Sequence, residues 1–165
     1  MATHGFFFRR DTSIGIPHSL GERIRSAEIP LLRSGFILSD ANLSWNSDTL
    51  VPPSVDGVVT AQEIADLDLS ETELVVLSAC ETGRGGIADG EGVFGLQRAF
   101  KIAGSNQLLI SLWNVPDAAT TALMTSFYRF IVNGLTPHNA LLQAQRSLKE
   151  QYPNPYDWAA FVLFQ

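Results

Sequence analysis

The stretch ELVVLSACETG, Glu73 to Gly83, sets the single cysteine of the chain, Cys80, directly after a run of apolar and β-branched residues. A thiol in that place is either a small hydrophobe closing a buried strand or a nucleophile held at the strand's carboxyl end. Nucleophilic chemistry would need a base. A thiol with an ordinary pKa of about 8.5 is mostly protonated at neutral pH, and an imidazole within hydrogen-bond reach both takes the proton and stabilises the thiolate. Three histidines are present. His18, beside Pro17, and His138, in the first turn of an expected helix, read as surface residues. His4 differs, because the short lead MATHGFF breaks at His-Gly in the form of another strand's carboxyl end. If that strand lies beside ELVVLSA, His4 and Cys80 emerge at the same edge of a sheet.

Other chemistries find less support. No Gly-x-Ser-x-Gly elbow occurs, and three scattered histidines with one cysteine make no metal-ligand cluster. The glycine-rich loop ETGRGGIADGEG lacks the Lys-Ser/Thr ending of a phosphate loop and carries carboxylates that would repel phosphate. No cofactor is expected.

The elements that would position these groups alternate strand and helix. TAQEIADL opens with a capping box, Thr60 with Glu63, and predicts a short helix to about Leu67. ELVVLSA reads as a fully buried strand. VFGLQRAFKIAG has Val93, Leu96, Phe100 and Ala103 at helical spacing before Gly104. QLLISLW is a second buried strand, and Asp117 is a candidate N-cap for a helix running to Gly134. Thr136 and Pro137 predict the cap and first residue of another helix, and WAAFVLF a last strand. Trp113 and Trp158 fall in strands, as core packing. Residues 11–57 read as irregular apart from SGFILS. This alternation predicts βαβ units and a mainly parallel sheet with helices on both faces, where ligands gather at the carboxyl ends of strands.

Composition bounds the function. With 165 residues, 45% hydrophobic and 17% charged, one soluble globular domain over 1–165 is expected, folding without disulfide or metal. No leader of signal-peptide form precedes Arg9 and Arg10, which points to a cytoplasmic setting. The apolar runs are far short of the roughly 18 residues that a membrane span needs. A net charge of −6 argues against a nucleic-acid partner.

Five separate blocks, ATHGFF, DGVVTAQEIADLDLSETELVVLSACETG, GEGVFGLQRAFKIAG, ISLWNVPDAAT and WAAFVLF, occur in an order that resembles a CHAT domain. This is the caspase-like and separase-like peptidase module often found behind tetratricopeptide repeats. The resemblance implies a caspase-like three-layer sandwich with a mainly parallel central sheet, and a cysteine endopeptidase acting on peptide or protein substrates. It implies His4 as the catalytic histidine, Cys80 as the nucleophile, and the amides of Gly5 and Cys80 as oxyanion donors. It also implies cleavage after Arg or Lys, with Asp117 as the acid of the specificity pocket; the N-cap reading of Asp117 remains open beside it. Asp89 is a further acidic candidate. Glu81, whose carboxylate would raise the thiol pKa, is expected to turn away from the sulfur toward a structural or substrate-facing role. A tetratricopeptide-repeat region is the implied regulatory partner. The caspase Gln-Ala-Cys signature is absent, so caspase specificity does not carry over.

The family has further strand residues, and an amino-terminal portion of the domain, ahead of its His-Gly motif. With Met1 three residues before His4, the expectation is the carboxyl-terminal catalytic part alone. The alternative function is then a non-catalytic CHAT-fold binding or scaffold module, inactive because of truncation.

Overall fold

Local signals in the sequence set most of the element boundaries. The computed structural model describes residues 4–15, 17–39, 41–45, 52, 56–77 and 91–165, and these form six strands and six α-helices. Strands β1 (His4–Phe7), β2 (Ser34–Ile37) and β3 (Val58–Thr60) make one sheet in that order. Strands β4 (Leu74–Leu77), β5 (Gln107–Ser111) and β6 (Phe161–Phe164) make a second. The helices are α1 (Leu20–Ser26), α2 (Ala41–Trp45), α3 (Ala61–Ala65), α4 (Glu91–Ile102), α5 (Asp117–Val132) and α6 (Pro137–Gln151). No helix among the described residues is long and apolar enough to cross a membrane.

Caps explain where the helices start and stop. Thr60 and Glu63 form the expected capping box before α3, and the Thr136 hydroxyl accepts from the Asn139 N–H ahead of α6. Gly104 and Gly134 follow α4 and α5 at φ 97° and 89°, a backbone region that side chains disfavour. The stretch read as irregular also contains α1, opened by a second capping box in which Ser19 accepts from the Glu22 N–H and Glu22 accepts from Ser19.

The expected mainly parallel sheet is corrected. Of the described pairings only β4 with β5 is parallel; β1–β2, β2–β3 and β5–β6 are antiparallel. The cause lies in how many helices separate the strands. One crossing helix, α4, returns the chain to the starting end of the sheet and gives a parallel neighbour. Two antiparallel helices, α5 and α6, travel out and back, so β6 starts at the end where β5 finished. β4 is half-buried along its length rather than fully buried, because it is the outer strand of its described sheet.

Packing follows the two-residue period of the strands. On one face of the second sheet, Leu109 and Phe161 join Ala119, Leu123 and Phe127 of α5 with Ala140, Leu141, Ala144 and Leu148 of α6. On the other face, Leu108 and Ile110 join Leu96, Ala99 and Phe100 of α4. That same cluster takes in Ala61 and Ile64 of α3 and Phe36 of β2, so α4 packs against residues of both sheets. A third cluster of Phe6, Ile24, Ala41 and Val58 seats α1 and α2 on the first sheet.

Candidate functional site

The register of β1 decides where the backbone of the His-Gly motif points. β1 pairs His4 with Ile37, Gly5 with Phe36, Phe6 with Gly35 and Phe7 with Ser34. One residue further on, the Phe8 N–H donates to the Arg33 carbonyl at 2.9 Å. Bonded and non-bonded pairs alternate along an antiparallel ladder, so Phe6–Gly35 and His4–Ile37 are bonded pairs while Gly5–Phe36 is not. The second ladder agrees. Leu38 N–H donates to Gly57 O at 2.7 Å, which makes Phe36–Val59 a bonded pair and turns the polar groups of Phe36 toward β3. The N–H and C=O of the buried Gly5 therefore face the outer edge of β1, where no described strand lies.

The opposite edge of this sheet is closed. By the same alternation the Val58 and Thr60 N–H groups face outward from β3, and they donate to Asp56 Oδ1 at 2.8 Å and Glu63 Oε2 at 2.7 Å. Two carboxylates thus occupy the outward donors of β3, while the outward amides of β1 meet no described strand.

The strand lead expected to break at His4-Gly5 instead stays extended through Phe7. The side chain of His4 lies outside what the structure describes, as do Cys80, Glu81 and Asp89. His18 and His138 are exposed, as expected of surface residues, and the His18 N–H donates to Glu22 at 2.8 Å.

Asp117 is described, and its candidate N-cap role is corrected. Pro116, at ψ 137°, is the cap: its carbonyl accepts the Thr120 N–H at 3.0 Å, and Asp117 is the first helical residue. A cap must be non-helical while its carbonyl already accepts, and Pro116 meets both conditions. The exposed Asp117 carboxylate is left in the first turn of α5, where the helix dipole favours negative charge.

Two aromatic residues at the same end of the sheet were not anticipated as site residues. β4 and β5 run in parallel register to Leu77–Ile110; Cys80 follows Leu77 by three residues, and Trp113 follows Ile110 by three. Trp113 has left the strand. Its indole N–H donates to the Tyr156 carbonyl at 2.8 Å, and its ring stacks on the Tyr156 ring at 5.8 Å and 29°. Trp158 is likewise outside β6, beside the 3-10 turn Pro155–Asp157. The sequence signal was the NPYDW turn, which places a tyrosine at the tip of a tight bend.

Comparison with known proteins adds the lineage. The chain is 31% identical over 154 residues to tetratricopeptide repeat protein 28 of Homo sapiens and, over the same length, to its namesake of Mus musculus. These matches cover 92% of this chain, which spans about 6% of the length of either relative. The sequence profile described as CHAT domain matches residues 1–165, and the chain accordingly belongs to the CHAT domain family.

Proposed function

We propose that this chain is the catalytic part of a cysteine endopeptidase in which Cys80 and His4 form a dyad. Its substrate is a peptide or protein cleaved after Arg or Lys. His4 takes the Cys80 proton, the thiolate attacks the scissile carbonyl carbon, and the amides of Gly5 and Cys80 hold the oxyanion. His4 then returns the proton to the leaving amine. Water next attacks the thioester, giving up a proton to His4, and the acid product leaves as Cys80 is freed. Asp117 binds the basic side chain, and Asp89 and Glu81 are further acidic groups at the substrate side.

The observation that carries this reading is the Gly5 amide, turned away from β2 toward the outer edge of β1 immediately after His4. A buried N–H needs an acceptor, and an oxyanion is one that arrives with the substrate. In this reading the two described sheets form one central sheet, in which the Gly5 amide is left off the strand pairing. With α3 and α4 on one side and α5 and α6 on the other, that sheet is the centre of a caspase-like three-layer sandwich. A tetratricopeptide-repeat region acts as the regulatory partner, in the cytoplasm.

A thiol-reactive peptide probe ending in Arg or Lys is expected to label the chain at Cys80, with labelling and peptide cleavage both lost in Cys80→Ala. Cleavage that survives Cys80→Ala would overturn the proposal. A folded chain that neither reacts nor cleaves would instead favour a binding or scaffold module.

A further inference from the structure

Tyr156 presents the exposed face of an aromatic pair at the carboxyl end of β5. One face of its ring lies on Trp113, yet the residue is 51% exposed, so the other face is available to a ligand. The ring is held in advance of any ligand. Its own N–H donates to Asn154 Oδ1 at 3.1 Å, Pro155 restricts the first position of the turn, and the Trp113 indole N–H is satisfied by the Tyr156 carbonyl. A ring fixed in this way loses little freedom on stacking with a ligand. The Leu112 N–H bond to Ala160 O, at 2.9 Å, keeps the end of β5 beside the start of β6, so turn and tryptophan share one edge of the sheet. Asp117 follows Trp113 by four residues and opens α5, the next element after β5, its exposed carboxylate released from capping.

We propose that the Tyr156–Trp113 pair is the aromatic wall of the side-chain pocket whose acid is Asp117, and that this wall selects arginine over lysine. The inference rests on the endopeptidase reading and sharpens its substrate class. A guanidinium is planar and weakly hydrated, so it lies flat on an aromatic face while its N–H groups still reach a carboxylate. An ammonium is a compact, strongly hydrated charge that pairs with the carboxylate and gains less from the ring.

The test is binding, read in the inert Cys80→Ala chain by calorimetry with two peptides that differ only in Arg or Lys. The arginine peptide is expected to bind about three- to ten-fold more tightly. Tyr156→Phe keeps the ring and the preference. Tyr156→Leu fills similar space without a π face, and should bring the two affinities together. Asp117→Asn should weaken both peptides while leaving their ratio in place. Equal affinities in the Tyr156 protein, or a ratio unmoved by Tyr156→Leu in a chain that melts normally, would overturn the wall. Because no hydrolysis is needed, absence of probe labelling at Cys80 would sink the endopeptidase reading without deciding this ratio.

Discussion

Glu22 accepts the backbone N–H groups of His18 at 2.8 Å and Ser19 at 3.3 Å, and these bonds hold its carboxyl below the ordinary glutamate range. Asp56 is pushed the other way. Burial raises it above the ordinary aspartate range, the Val58 N–H opposes that rise, Glu63 adds to it and Arg23 opposes it. The pH consequences have opposite signs. A depressed folded-state pKa gives stability that is present above the unfolded pKa and is lost as pH falls through the folded value. A raised carboxyl pKa gives stability that is present below the unfolded pKa and is lost as pH rises through the folded value. Thermal melts between about pH 3 and pH 7 should separate the two residues. Glu22→Gln is expected to lower the midpoint near neutrality, with the deficit closing in acid. Asp56→Asn keeps the acceptor for Val58 and removes the charge, so it should raise the midpoint near neutrality and bring no gain once Asp56 is protonated in both states. Equal offsets at every pH for either variant would contradict the assigned cause.

At the scale of elements, β2 is held on both sides, by β1 and by β3. A Cβ built on Gly35 would overlap the Val59 carbonyl oxygen of β3. Gly35→Ala should therefore cost at least about 2 kcal/mol in urea unfolding, as overpacking against backbone that cannot move aside. A loss below half that would show that β3 can yield. Helix ends were legible from sequence wherever a side chain closes its own backbone, as at Thr60 and Thr136, since a cap acts over three residues. Ser19 and Glu22 carry the same signature and could have marked α1 within the stretch read as irregular. Strand direction was less legible. Alternating strands and helices suggest crossovers, but only the count of helices between β5 and β6 shows that the chain comes back reversed.

For the whole molecule, the candidate site divides by how far apart its determinants lie in the sequence. Residue types and local motifs bring His4, Cys80 and Asp117 forward, because thiol, imidazole and carboxylate chemistry can be read one residue at a time. The outward amide of Gly5 could not be read that way, since its direction depends on a register set by β2, some thirty residues later. The wall of Trp113 and Tyr156 joins residues 43 apart through a side-chain bond to backbone. The shared cluster on α4 has a further consequence for how the protein comes apart. Phe36 of the first sheet and Ile110 of the second bury themselves against one helix, so neither sheet can open without uncovering the apolar face on which the other depends. Their ladder amides should then exchange with deuterium at a common rate under native conditions, as members of one cooperative opening. Separate protection of the two sheets would mean that each is a foldon of its own. If the rates agree, a ligand that steadies the edge of β1 will also slow exchange in β5.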